Sequence, residues 1–213
     1  MSKAKVIEIV LFKTNLGVNP EQFKIEMTKY NEFLKKCEGF LARKIAVSAD
    51  GQYIDIMEFA NLDACNACAE KATQDTDLIA FQLDVMDKKI DRNSVYTNRF
   101  EMRSTVLIEA DKPTVADIFI MQPKEGINIK TFESALLKFN DTLADYKDGL
   151  VLRENGVSTN GQYLELVYWA DMKTCNAASE KGANDPEIES FFDMTDEEAE
   201  IANRFEIFSD INH

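Results

Sequence analysis

Apolar and polar positions along this chain follow two periods, and the order of those periods occurs twice. Val6 to Phe12 is a short apolar run broken by one acid, Glu8; Val115 to Met121 is another, broken by Asp117. Runs of this length read as buried strands. A helical period follows each. Phe23, Met27, Tyr30, Leu34 and Cys37 are spaced by alternating steps of four and three, as are Phe132, Leu136, Phe139, Leu143 and Tyr146. That spacing lines one face of a helix. Asn19-Pro20 supplies an N-cap and a first-turn proline, and Gly39 and Gly149 stop the two helices.

Hairpins come next. Phe40 to Ser48 and Tyr53 to Ala60 flank Asp50-Gly51; Leu150 to Ser158 and Tyr163 to Ala170 flank Asn160-Gly161. Asp-Gly and Asn-Gly predict type I′ turns, which need positive φ at both central residues. Helical regions are expected over Leu62 to Lys89 and Met172 to Glu200, the second broken at Asp185-Pro186. A strand closes each copy around Asn98-Arg99-Phe100-Glu101 and Asn203-Arg204-Phe205-Glu206.

The order is therefore βαββαβ, written twice. Asp50-Gly51-Gln52-Tyr53, Cys65-Asn66-Ala67 and Glu70-Lys71 return about 110 residues later as Asn160-Gly161-Gln162-Tyr163, Cys175-Asn176-Ala177 and Glu180-Lys181. A period this long is a duplicated domain, not a solenoid. The expected boundaries are 1-104 and 115-213, with 105-114 joining them; Asp111-Lys112-Pro113 is the linker proper, and the β-rich Thr105 to Glu109 is an option to extend the last strand. The expected class is α+β: two ferredoxin-like βαββαβ domains whose antiparallel sheets pack as an intramolecular pseudo-dimeric α/β barrel. In the third strands, Ile54, Ile56, Leu164 and Leu166 form one face, assigned to the helices. Tyr53, Asp55, Met57 and Phe59, matched by Tyr163, Glu165, Val167 and Trp169, form the other, assigned to the barrel interior because an exposed patch of that kind must be hidden.

Composition narrows the function. The chain has 213 residues, 45% of them hydrophobic, and a net charge of -14. That charge disfavours nucleic acid and anionic membranes as partners. The first residues show no signal-peptide pattern, no stretch reaches transmembrane length, and 4 free-reading cysteines point to the cytoplasm. Cys65-x-x-Cys68 lacks a second such pair, and Cys68 becomes Ala178 in the other copy, so an amphipathic helix face is favoured over a metal or redox site.

Strand alternation gathers candidate polar groups: Glu8 and Asp117, Arg43 and Arg153, Asp55 and Glu165, Arg99 with Glu101, Arg204 with Glu206. Two readings stay open. These are structural ion pairs, or they form a polar pocket in which an arginine orients a small molecule and Asp55 or Glu165 acts as base. Trp169, the only tryptophan, corresponds to Phe59 in the other copy. Asn66 and Asn176 read as strand-to-helix caps, with a ligand contact as the second option. The single histidine is His213, which excludes histidine-based triads and most zinc sites. No G-x-G-x-x-G or P-loop occurs, so standard nucleotide and flavin motifs are absent. No metal and no cofactor are expected.

The βαββαβ order, the D/N-G-Q-Y hairpin entering strand three and the aromatic at that strand's end (Phe59, Trp169) resemble the dimeric α/β-barrel superfamily, within it the antibiotic-biosynthesis-monooxygenase-like branch. The resemblance covers nearly the whole chain as two fused copies. It implies a barrel around a pocket, with the chain as its own pseudo-dimer, monomeric or weakly homo-oligomeric. Haem-binding relatives use a histidine on the helix after strand three, and neither copy has one there. The resemblance implies a small-molecule-binding protein with cofactor-independent monooxygenase-like activity on an aromatic or quinol-type substrate. Glu165 or Asp55 would be the base, Arg153 or Arg43 would orient an anion, and Trp169, Tyr163, Phe59 and Asn176 would line the pocket. The alternative is a non-enzymatic ligand sensor or structural barrel. The second half, which keeps the tryptophan, is the first place to look.

Overall fold

The computed structural model describes residues 6–15, 17–85, 95–108, 112–143 and 148–212. Tyr146, Asp111, Lys89 and His213 lie outside them. The first copy runs β1 (Val6–Phe12), α1 (Pro20–Leu34), β2 (Phe40–Ser48), β3 (Tyr53–Phe59), α2 (Leu62–Ala72), α3 (Thr76–Val85) and β4 (Tyr96–Leu107). The second runs β5 (Val115–Met121), α4 (Ile129–Leu143), β6 (Leu150–Ser158), β7 (Tyr163–Trp169), α5 (Met172–Gly182), α6 (Pro186–Phe192), a 3-10 turn (Glu197–Ala199) and β8 (Ile201–Asn212). The protein is α+β, and its strands form a closed barrel in the order β1-β3-β2-β8-β5-β7-β6-β4.

In the first unit β3 lies between β1 and β2, both antiparallel to it, and β4 flanks β1 through Val6↔Glu101 and Glu8↔Arg99. The second unit repeats this with β7 between β5 and β6, and with Asp117↔Arg204 on β8.

The closing strands are long. Each is 12 residues long. β4 continues through Thr105 to Leu107, the β-rich start of the joining segment, and Ile108 N–H then donates to the Val151 carbonyl at 3.0 Å. The compact units are Met1–Met102 with Ile207–His213, and Arg103–Glu206, so the division falls inside β4 and β8 rather than in a loop. The β-rich run Ser104 to Ile108 has ladder partners available, and backbone groups that can pair do so.

Local chemistry explains most element ends. Asn19 Oδ1 accepts the N–H groups of Glu21 and Gln22 at the start of α1. Asp75 Oδ1 accepts those of Asp77 and Leu78, both at 3.1 Å, and Asp185 Oδ1 accepts that of Glu187 at 2.9 Å. The second helical region is thus broken in both copies, although only one copy has a proline to announce it. The hairpins are not type I′. Gly51 (φ 79°) and Gly161 (φ 83°) have positive φ, but among the described residues no non-glycine does. Gly51 N–H donates to Ser48 C=O at 3.0 Å, so the turn is type I followed by a left-handed glycine. The Ser48 hydroxyl bonds Asp50 Oδ1 at 2.5 Å, which holds Asp50 at negative φ; Ser158 and Asn160 repeat the contact.

The sheet faces are the reverse of the assignment. Met57 and Phe59 pack with Leu34, Cys37, Cys65 and Cys68, that is, against the helices. Val167 and Trp169 do likewise with Phe139 and Cys175. Tyr53 and Tyr163 join Phe23 and Phe132 of α1 and α4. Ile54, Ile56, Leu164 and Leu166 are fully buried on the opposite face. Both faces of these strands are buried, so apolar alternation carries no sign that tells one from the other.

Candidate functional site

All the sequence-selected acids and arginines of strands two and three therefore lie between sheet and helix. In the first unit Arg43, 1% exposed, donates Nε to Asp55 Oδ1 at 2.8 Å and Nη2 to Asp55 Oδ2 at 2.5 Å. Its Nη1 donates to Asn31 Oδ1 at 2.6 Å and to the Met27 carbonyl at 3.3 Å. The guanidinium lies 4.5 Å from the Tyr30 ring centre. Both Asp55 oxygens are taken, which is what a buried ion pair needs to persist. Phe59 stands apart from this pair, edge-on to Phe40 at 5.8 Å.

The second unit repeats the pair less completely. Arg153 Nε donates to Glu165 Oε1 at 3.0 Å, and its guanidinium lies 5.1 Å from the Phe139 ring centre. Glu165 Oε2 is buried with no hydrogen-bond partner. Asn155, opposite Glu165 across β6 and β7, accepts the Ser104 hydroxyl at 2.9 Å while its Nδ2 is left unpaired. Trp169 Nε1 is also buried and unpaired. Native proteins leave few such groups, and each asks for an explanation.

A second constellation occurs in both units, and only part of it stood among the sequence candidates. On β1, Glu8 Oε1 accepts Arg99 Nε at 2.6 Å, and Arg99 Nη1 donates to Asn66 Oδ1 at 2.6 Å. On β5, Asp117 Oδ2 lies 3.5 Å from Arg204 Nε, and Arg204 Nη1 donates to Asn176 Oδ1 at 3.0 Å. Arg204 Nη2 also donates to the Ser179 hydroxyl. Cys175 Sγ donates to Asp117 Oδ2 at 3.5 Å. Asn66 and Asn176 are thus not caps. Asn61 and Asp171 cap α2 and α5, and the repeated asparagines hold the arginines. The signal was in the sequence: the retained Cys-Asn-Ala and Asn-Arg-Phe-Glu are the two halves of this contact.

Electrostatics separates the acids. Burial pushes the Asp117 carboxyl up to about 6; Arg204 pulls it back, and the nearby Glu165 charge adds to the rise. Burial raises Glu8 too, against the pull of Arg99. The Cys65 and Cys175 thiols are pushed up to about 12, first by burial and then by the acid beside each. Both stay protonated near neutrality and act as donors.

Asp117, Glu165, Val167 and Trp169 share the helix-facing side of the second sheet. Phe139 packs against Trp169 and Cys175. Its ring also lines a cavity of about 370 Å³ between α4 and α6, together with Lys138, Ser190 and Phe191. Tyr163 belongs to the neighbouring cluster with Phe132 and Phe191, and its hydroxyl donates to Glu133 Oε1 at 3.0 Å. The structure thus brings Glu165, Arg153 and Trp169 around Phe139, sets Tyr163 beside them, and ties Asn176 to Arg204. Among the described residues no group of three or more His, Cys, Asp or Glu is placed to hold a metal ion. Among them, too, no helix is long and apolar enough to cross a membrane.

No family model and no curated protein matches the chain. Solved structures do. A candidate monooxygenase from Fusobacterium nucleatum subsp. nucleatum superposes with TM-score 0.70 at 13% identity, over 100% of this chain and 96% of that one. An anthrone oxidase-like protein gives 0.69 at 11%, over 99% and 94%. A chlorite dismutase mutant from Candidatus Nitrospira defluvii gives 0.60 at 6%, over 95% and 92%. With its eight-stranded closed sheet and duplicated βαββαβ order, the chain has the fold of the dimeric α/β-barrel proteins, both halves carried on one polypeptide.

Proposed function

We propose that this is a small-molecule-binding α/β-barrel protein whose second unit carries a cofactor-independent, monooxygenase-like site for an aromatic or quinol-type substrate. One observation carries the reading. Trp169 Nε1 and Glu165 Oε2 are buried without partners on the sheet face that also holds Asp117, a carboxyl whose pKa is raised to about 6. Unpaired donors and acceptors beside a carboxylate tuned toward neutrality suit a substrate that supplies the missing contacts. Some proteins of this fold carry the names monooxygenase and anthrone oxidase-like, which agrees with such chemistry.

In this scheme Asp117 accepts a proton from an acidic C–H or O–H of the substrate. The Trp169 N–H and the Arg204 guanidinium stabilise the enolate oxygen that forms. The resulting carbanion bonds to dioxygen, Asp117 returns its proton to the peroxide anion, and the hydroperoxide loses water. A methylene and O₂ become a carbonyl and H₂O, the carbon losing four electrons and dioxygen gaining four. Glu165, next to Arg153, sets the field around Asp117. The structural alternative applies to the first unit, where both Asp55 oxygens are occupied and Phe59 replaces the tryptophan.

The test is oxygen uptake with a panel of anthrones and quinols. Turnover that survives Glu8→Gln and is lost in Asp117→Asn supports the proposal. No uptake across the panel, with no quenching of Trp169 fluorescence by any member, overturns it.

A further inference from the structure

The Cys65-x-x-Cys68 motif resolves into two thiols with different neighbours. Cys65 turns to Glu8 and Arg99. Cys68 instead packs in one buried cluster with Cys37, just past the end of α1, whose thiol donates to the Phe33 carbonyl at 3.8 Å. Both belong to one buried cluster with Leu34, Phe40 and Phe59. Both also line a cavity of about 550 Å³ in the first unit, beside Gly39, Asn61, Asp63 and Lys71. Two thiols in one cluster on the wall of one cavity are placed to bond after a small movement, and the cavity gives a small reagent access to them. The second unit has Ala178 in place of Cys68, so this feature belongs to the first unit.

We infer that Cys37 and Cys68 form an oxidisable dithiol that closes to a disulfide when a peroxide enters this cavity. One thiolate attacks hydrogen peroxide, forming a sulfenic acid and releasing hydroxide, which takes up a proton as water. The second thiol displaces the sulfenic oxygen as a second water. Two S–H bonds are lost, one S–S bond forms, and the peroxide is reduced to two waters. The bond ties the C-terminal end of α1 to the middle of α2 and narrows the cavity between them. Burial pushes the Cys68 thiol well up, which makes the reaction slow at neutral pH and faster in alkali.

The experiment exposes the full chain to a modest excess of hydrogen peroxide. The expected product is lighter by two hydrogens, with free thiols falling from 4 to 2. Digestion yields a peptide linking Cys37 to Cys68, and dithiothreitol restores the starting mass. Thermal unfolding of the oxidised form moves up by several degrees, since the cross-link restricts the unfolded chain. Cys65→Ser keeps the reaction. Cys68→Ala, the residue that the other copy holds at this place, abolishes it without loss of fold. Retention of all four thiols overturns the inference, as does oxygen addition at single cysteines, a Cys65–Cys68 linkage, or the same loss of thiols in Cys68→Ala.

Discussion

Arg43 grips Asp55 side-on, Nε to Oδ1 at 2.8 Å and Nη2 to Oδ2 at 2.5 Å, in a layer closed to water by α1. A buried pair of this kind is costly to break from one side, because the remaining charge is stranded. Asp55→Ala is expected to cost about 3–5 kcal/mol, read by urea unfolding. Arg43→Met with Asp55→Leu should recover most of that loss. Glu165→Gln in the second unit should cost less than Asp55→Asn, since one Glu165 oxygen has no bond to lose. Equal losses for the two conservative variants would contradict this difference between the copies.

Asp117 sets a pH dependence whose sign follows from its environment. Its pKa is raised to about 6 in the folded chain from 3.8, so between those values the folded state binds more protons than the unfolded one. Stability contributed by this group is present below the unfolded value and falls as pH rises to the folded value. Asp117→Asn removes the burden. The variant is expected to be more stable than the parent above pH 6 by about 3 kcal/mol, with the gap closing toward pH 4. Chemical unfolding at both pH values measures this. A gap that widens as the pH falls would mean that Arg204 outweighs burial.

The order of elements was legible because period, turn residues and caps all act locally. β1, β2, β5 and β6 begin and end where apolar runs meet turn residues. The duplication was legible because Asp50-Gly51-Gln52-Tyr53 and its copy need only comparison. The face of the sheet was not. Tyr53, Asp55, Met57 and Phe59 alternate with Ile54 and Ile56, but both sets are buried, and which set meets α1 depends on long-range packing. Alternation alone therefore puts Asp55 and Glu165 in the barrel interior, whereas they lie beneath the helices. The contact of Arg99 with Asn66 joins residues 33 apart in sequence, and only the retention of Cys-Asn-Ala and Asn-Arg-Phe-Glu in both copies marks its two halves.

Trp169 offers a probe of the second unit. Its indole N–H is buried and unpaired. Trp169→Phe removes an unsatisfied donor and some apolar area together. The two effects oppose each other, at about 1–3 kcal/mol for each. The unfolding midpoint in urea is expected to change little, whereas binding of an aromatic ligand falls sharply if that donor meets the ligand. A large loss of stability with unchanged ligand binding would make Trp169 a core residue and nothing more.

Gly149 and Gly161 have nearly the same backbone conformation, φ 81° and 83°, yet should respond differently to a methyl group. A Cβ on Gly161 meets nothing within 4 Å, so Gly161→Ala carries only the left-handed penalty, about 1–2 kcal/mol. A Cβ on Gly149 falls 2.6 Å from Thr174 Oγ1 and 2.7 Å from Thr174 Cβ. Thr174 cannot retreat freely. Its N–H is capped by Asp171 Oδ1 at 2.8 Å, and its hydroxyl donates to the Asp171 carbonyl at 2.9 Å. Displacing it disturbs the first turn of α5, which leads directly into Cys175 and Asn176 and so into the contacts with Asp117 and Arg204. Gly149→Ala is therefore expected to lose more stability than Gly161→Ala and also to shift the titration of Asp117, read by NMR of its carboxyl carbon. Gly161→Ala should leave that titration where it is. If both variants lose the same stability and neither moves the titration, the coupling from β6 through α5 to the acid is absent.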